Sequence, residues 1–259
     1  MKPTAVITGG AGGLGRALSA ALRETGWHTV LIDLPGPELD ALADLEDVST
    51  YACDLTDPDQ CADTCDRILN ASGSIDLVIY NAGVSQISAF SECEMSAHRN
   101  LFEINYFAAV TCAQHFLKAV RAAKGTHLAI SSVAGFAPLI HRTAYAASKH
   151  AMEGFFKSLR AEEAAHGVRV SIAAPSFVAT NIGRPEAAGD GFVRPGSATD
   201  GIDYMEPEAA AQVILHGFQQ GKEYIPVGRV ARIANLLNRV APRFYVRQMM
   251  RTVGKQRPS

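Results

Sequence analysis

The sequence predicts an α/β protein built on a doubly wound parallel sheet with helices on both faces. Three observations carry this expectation. Short aliphatic runs alternate with longer segments of helical periodicity, a glycine cluster follows the first such run, and no internal repeat or low-complexity linker breaks the alternation. Strand, helix and strand in succession require crossover connections, and therefore parallel strands covered on both faces.

Thr4–Thr8 is the first predicted strand, and Gly9, Gly10, Ala11, Gly12, Gly13, Leu14 and Gly15 lead from it into a helix over Leu14–Thr25. Glycines here admit positive φ and omit the Cβ atoms that would keep a pyrophosphate from the free N–H groups and dipole of the helix. A flexible turn would account for the glycines alone. The strand before and the helix after them favour a dinucleotide site. The second strand, Thr29–Asp33, ends in a carboxylate 18 residues beyond Gly15, where an acid can accept hydrogen bonds from the adenine ribose. The same charge repels a 2'-phosphate, on the order of 4 kcal/mol per unit charge at about 4 Å and an effective dielectric of about 20. Arg16 is the only nearby cation to offset it, which favours NAD over NADP.

Helical patterns continue over Pro37–Leu45, Pro58–Asn70, Ala97–Ala123 and Thr143–His166, with strands at Leu77–Asn81, His127–Ser131 and Arg169–Ala174. In the helix from Thr143, Tyr145 and Lys149 lie one turn apart on one face, and Ser132 stands thirteen residues before the phenol. A free tyrosine titrates near pH ~10 and is a poor base unless a fixed positive charge favours phenolate. Lys149 is placed to supply that charge. Such a pair alone reads as surface neighbours; the glycine turn, Asp33 and Ser132 give it chemical meaning.

Beyond the last of these strands, Asn181 to Met205 is rich in Gly and Pro and long for a connection, so 181–206 is expected to form a substrate lid. Phe177, Phe192, Tyr204 and Met205 are candidates for its inner face or its anchors, and Gln86, Ile140 and His141 for other parts of the pocket. His141 reads more simply as a satisfied or exposed histidine than as a second acid/base.

At 259 residues the chain is expected to form a single domain over 1–259. A net charge of -2 and 47% hydrophobic content give no net basicity to suggest nucleic acid. The average hides an asymmetry: residues 229–259 carry eight Lys or Arg and no Asp or Glu, leaving -10 on the rest. Val230, Ile233, Leu236, Leu237, Val240, Phe244 and Val246 recur among those arginines, with Pro242 dividing two short helical stretches. The pattern reads either as a helix pair packed on the body or a partner, or as a basic amphipathic surface for anionic lipid. The five cysteines are odd in number and lack a Cys-x-x-Cys pair, so they read as reduced thiols without metal. No apolar stretch approaches ~18 residues, so neither a signal peptide nor a spanning helix is expected, and a cytoplasmic location is.

With Thr8, Gly9, three residues, Gly13, one residue, Gly15, then Asn81, Ala82, Gly83, then Ser132, Tyr145 and Lys149, the chain resembles the short-chain dehydrogenase/reductase family over at least residues 4 to 181. The resemblance implies a Rossmann fold with seven parallel strands and, as cofactor-binding residues, Gly9, Gly12, Gly13, Leu14, Gly15, Asp33, Asp54, Leu55, Asn81, Ala82, Gly83, Tyr145, Lys149, Pro175, Val178 and Thr180. It implies Asn105, Ser132, Tyr145 and Lys149 as the catalytic set. Asn105 would help hold a water beside the lysine. Ser176 stands where the family usually has glycine, and Tyr80 replaces a frequent asparagine before the Asn-Ala-Gly triplet. The implied reaction moves a hydride between NAD(H) and an alcohol or ketone, in a dimer or tetramer formed through helices 97–123 and 143–166. An NADP-dependent carbonyl reductase and a non-catalytic dinucleotide sensor are the alternatives.

Overall fold

The computed structural model describes residues 2–179, 192–193 and 204–254. Seven parallel strands make one sheet: β1 (Thr4–Thr8), β2 (His28–Asp33), β3 (Val48–Ala52), β4 (Leu77–Tyr80), β6 (Thr126–Ile130), β7 (Arg169–Pro175) and β9 (Tyr224–Val227). Two short strands, β5 (Ser85–Gln86) and β8 (Phe192–Val193), pair antiparallel beside it. The spatial order is β3-β2-β1-β4-β6-β7-β9, so the chain winds one way from β1 and the other way from β4. Their carboxyl ends therefore part at a topological switch point, where Thr8 is in register with Tyr80.

Alternation along the strands divides the core in two. Ala5, Ile7, Leu77, Ile79, Leu128 and Ile130 face one layer, packed by α1 (Gly13–Glu24) and α7 (Pro207–Gln219). Val6, Val78, Tyr80, Ala129, Val170 and Ile172 face the other, packed by α3 (Pro58–Ala71), α5 (Ala108–Ala123) and α6 (Thr143–Glu163). Both faces of every central strand are buried, which is why these strands read as continuous aliphatic runs.

Several boundaries differ from the sequence expectation. The helix expected over Pro37–Leu45 is only α2 (Pro37–Asp40), followed by i→i+3 turns at Leu42, Ala43 and Leu45. The expected helix over Ala97–Ala123 consists of α4 (Met95–Phe102), a π-helical turn Glu103–Phe107 and α5. The extra residue of that turn re-aims Asn105 into the body, where it is fully buried. Edge strands β3 and β9 gave no aliphatic run to recognise, one being half-exposed and the other carrying Pro226. At the C-terminal end α8 (Arg229–Val240) and α9 (Pro242–Gly254) are divided at Pro242 as expected. The expected lid falls largely outside the described residues.

The cysteines contain more association than expected. The sulfurs of Cys61, Cys65 and Cys112 lie within 4.8 Å of one another where α3 meets α5, all as free thiols in the core. Tyr80, the departure from the family triplet, turns away from the switch point into the same layer and pairs its hydroxyl with His127 Nδ1 at 2.6 Å.

His127 is fully buried, and its Nε2 has no partner among the described residues. Burial pushes its pKa down to about 4, against the weaker pull of the Glu163 charge. The unfolded imidazole titrates near ~6.5. Above that value both states are neutral and the stability is fully present. Between it and about 4 the unfolded chain binds the proton first, so stability falls as pH falls. Urea unfolding from about pH 7 to about pH 5 is expected to cost the wild type on the order of 2 kcal/mol more than His127→Gln.

Candidate active site

The crevice between the β1 and β4 loops is a cavity of about 540 Å³. The turn after β1 supplies Gly9, Gly12, Gly13 and Leu14 to its wall. Gly9 sits at φ 64°, and a Cβ on it would stand 2.9 Å from the Ala82 Cα. Gly12 caps α1 without any side-chain hydrogen bond, so the first amides of the helix face the crevice, and a Cβ there would meet nothing closer than 3.4 Å. This open, amide-lined helix start fits the pyrophosphate of the expected dinucleotide. Gly15, expected to touch the cofactor, instead lies beneath the turn, where a Cβ would overlap the Gly9 carbonyl oxygen. Its smallness serves packing.

Asp33 ends β2 on the same wall, with Oδ2 accepting from the Ala11 amide at 2.8 Å and Oδ1 from the Leu34 amide at 2.9 Å. Glu38, Asp54 and Leu55 complete this end of the cavity. Asp54 Oδ1 accepts from both the amide and the hydroxyl of Thr56, at 2.9 and 2.7 Å. Arg16, the cation weighed against Asp33, is exposed on α1 and does not line the cavity. The Asn81–Gly83 loop closes the floor: Asn81 Nδ2 donates to the Thr8 and Gly9 carbonyls, and the amides of Asn81 and Ala82 donate to Thr8 Oγ1.

At the other end Ser132, Tyr145 and Lys149 all line the cavity. Ser132 follows β6 in extended conformation, and its hydroxyl accepts from the Ala134 amide at 3.2 Å on the side of the cavity that holds the Tyr145 phenol. The phenol is buried, which raises its pKa, while the Ser132 hydrogen bond and the Arg142 charge lower it. The Arg142 guanidinium, three residues before the phenol, is thus a second positive charge at this end of the cavity, beside the lysine that the helical spacing placed there. Lys149 is buried, donates to the Ile130 carbonyl at 3.0 Å, and has its pKa lowered to about 8 by burial, against the Glu153 charge. Pro175, the last residue of β7, and Val178 beyond it line the cavity; Thr180 lies outside the described residues. Ser176, in place of the usual glycine, donates its amide to the Val227 carbonyl.

Asn105 does not reach the cavity. Its Oδ1 accepts from the Val84 amide at 2.8 Å, and its Nδ2 donates to the Val84 carbonyl at 2.9 Å and the Ser148 hydroxyl at 3.0 Å. It stands behind Gly83, where a Cβ would come within 2.9 Å of its Oδ1 and 3.3 Å of Lys149 Nζ.

Other expectations for the pocket shift by a residue or two. Phe177 lines the cavity, whereas Gln86, Ile140 and His141 do not; Ser85, Leu139 and Arg142 take their places. Gln86 accepts from the Cys93 thiol, and His141, at φ 58°, offers its carbonyl to the Ser88 amide. Tyr204 packs against Phe177 with ring centroids 5.7 Å apart and Met205 bridges Val178, so both anchor this segment; the Phe192 side chain lies outside the described residues. Val230 and Tyr245, from α8 and α9, also line the cavity, as nothing in the sequence pattern foretold. Glu153, buried four residues beyond Lys149, was likewise unforeseen. It accepts from Ser131 at 2.9 Å, Tyr224 at 3.2 Å and Lys157 at 2.6 Å. The i, i+4 run Lys149, Glu153, Lys157 was its available signal.

The short chain dehydrogenase family model matches residues 3–190. Dehydrogenase/reductase SDR family member 7B of Bos taurus is 31% identical over 267 residues, covering 98% of this chain and 82% of that one. The Xenopus laevis protein of the same name is 29% identical, covering 93% and 78%. Among solved structures, a short chain dehydrogenase of Burkholderia cenocepacia in complex with NADP is similar at TM-score 0.83 and 22% identity over 96% of this chain and 98% of that one. A short chain dehydrogenase/reductase of Burkholderia phymatum in complex with NAD is similar at TM-score 0.74 and 21% identity over 86% and 88%. At these identities the structural likeness concerns the fold.

Replacing Asn105 by Ala strands both backbone groups of Val84, at roughly 1–3 kcal/mol for each buried group left without a partner. Asn105→Ala is expected to unfold at clearly lower urea than wild type, and with the floor of the crevice loosened, to bind NADH more weakly by fluorescence titration.

Proposed function

The chain belongs to the short-chain dehydrogenase/reductase family of dinucleotide-binding oxidoreductases, and from that premise we propose that it is an NAD-dependent enzyme interconverting an apolar secondary alcohol and its ketone. One observation carries the reading: Ser132, Tyr145 and Lys149 stand together on the wall of the same cavity that holds the glycine turn and Asp33. When bound, nicotinamide supplies the hydride acceptor or donor. In the oxidative direction the Tyr145 phenolate takes the hydroxyl proton and Ser132 donates a hydrogen bond to the substrate oxygen. Lys149 and Arg142 favour the phenolate, and Lys149 would also hold the nicotinamide ribose. Asn105 fixes the Val84 backbone and the Ser148 hydroxyl beside these groups, and so positions the residues through which the proton returns to water.

The NAD preference rests on charge. Asp33, Glu38 and Asp54 line the end of the cavity expected to hold the adenosine, while the cations that line it among the described residues, Arg142 and Lys149, stand at the Tyr145 end. Among the described residues a 2'-phosphate would meet carboxylates at that end without a facing base. The apolar substrate is supported by Leu139, Phe177, Val230 and Tyr245 on the wall. A homo-oligomer through the long helices is supported by Phe107, which is exposed on that surface beside Tyr106.

A spectrophotometric screen of secondary alcohols and ketones tests the reaction. Tyr145→Phe is expected to lower kcat/KM by roughly a hundredfold or more while NADH binding persists; turnover within a few-fold of wild type sinks the assignment. The wild type is expected to use NAD at least tenfold better than NADP, and Asp33→Ser to narrow that ratio by roughly tenfold or more, within the several kcal/mol available to one unpaired charge. Equal use of both cofactors by the wild type argues for the NADP-dependent reading.

A further inference from the structure

The helix pair α8–α9 reverses the usual arrangement of an amphipathic helix. The face of α8 that touches the body is made of small residues: Ala231 and Ala234 are buried against Val133 and Ala137, and Asn238 donates to the Phe136 carbonyl at 2.7 Å. Its large aliphatic residues point outward instead, with Ile233, Leu236 and Val240 58%, 64% and 75% exposed. On α9, Phe244 and Met250 are also more than half exposed. Core packing does not explain these residues, since alanines already fill that role.

The charges share the same outward surface. Arg229, Arg232, Arg239, Arg243, Arg247 and Arg251 are all exposed, no acid occurs from 229 to the end of the chain, and none of the six makes an ion pair among the described residues. Positions 229, 232, 233, 236, 239 and 240 recur at helical spacing, so arginines flank the aliphatic stripe rather than oppose it. Such a stripe can enter the acyl boundary of a bilayer while the long arginine side chains reach back to lipid phosphates. No helix among the described residues is long and apolar enough to cross a membrane, so the contact is with one surface.

We propose that α8 and α9 form a docking surface for an anionic bilayer and set the mouth of the substrate cavity at the lipid boundary. The same pair puts Val230 and Tyr245 into the cavity wall, so the element that meets the lipid is also the element that shapes the pocket. Substrate entry from the bilayer rests on the apolar alcohol or ketone assigned above; the docking itself does not. A second copy of this chain is the weaker occupant. A two-fold pairing would press arginines against arginines, and a contact with the acidic remainder of another copy would be head-to-tail and open-ended.

The test is flotation of the full chain with vesicles of phosphatidylcholine, and of phosphatidylcholine mixed with phosphatidylserine. Wild type is expected to float with the anionic vesicles at low salt, at least tenfold more than with the neutral ones, and to be released in part by salt. Two variants, Ile233→Ser/Leu236→Ser/Val240→Ser and Arg232→Glu/Arg239→Glu/Arg243→Glu, are each expected to lose at least tenfold in partitioning while melting like wild type. Turnover of a water-soluble alcohol should be unchanged in both, and turnover of a vesicle-dissolved long-chain alcohol should fall. A chain that floats but oxidises no alcohol keeps the docking surface and overturns only the assigned reaction. Turnover of the soluble alcohol without flotation overturns the docking surface. So does sedimentation showing that the serine variant turns a dimer into a monomer without any vesicle binding by wild type, which makes the face a subunit contact.

Discussion

Everything at this site hangs on how the carboxyl ends of β1 and β4 are tied together. Parallel strands that leave the sheet in opposite directions would let their loops diverge, and Thr8 and Asn81 prevent it. One side-chain amide spans the Thr8 and Gly9 carbonyls, and one threonine hydroxyl accepts two successive amides from the other loop. These are bonds between groups more than seventy residues apart in sequence, in a partly buried place where leaving them unmade would cost more than making them gains. The glycine turn can then lie open beside the helix start because its outer edge is already held. Asn105 repeats the device one step further on, holding Val84 by both backbone groups.

A second constraint joins the hydroxyls to the far edge of the sheet. Ser131 and Ser132 are consecutive, and an extended backbone sends their side chains to opposite sides. One lines the cavity with Tyr145; the other donates to buried Glu153, which is closed from behind by Tyr224 of β9 and Lys157. A carboxylate this deeply buried is tolerated only with its oxygens satisfied, and its negative charge opposes the loss of the Lys149 proton that burial drives. The edge strand thus bears on the lysine through a single acid.

Local chemistry was the legible part. The glycine turn, the acid at Asp33, and the serine, tyrosine and lysine at fixed spacing follow from backbone rules that operate over a few residues, and the structure brings all of them to one cavity. What local reasoning got wrong has equally physical causes. Helical spacing placed Lys149 one turn from the phenol but did not show that its ammonium also donates to the Ile130 carbonyl. The unbroken periodicity of 97–123 hid a π-turn, because the extra residue is stabilised by Val84 and Ser148, which lie outside that segment. Tyr80 looked like a departure at the crevice, yet the strand pleat turns it into the opposite layer.

By itself the sequence determined the alternation of strands and helices, the open helix start after β1 and the residues able to carry acid/base chemistry, since each depends on periodicity, on glycine or on functional group within a short window. Only the tertiary structure decided that Arg142 adds its charge beside the phenol, that buried Glu153 acts on the lysine, and that Val230 and Tyr245 close the cavity while their helices turn arginine and aliphatic side chains outward. Those outcomes depend on contacts between segments far apart in the chain, and on which face of α8 small residues allow to approach the body, neither of which a linear pattern records.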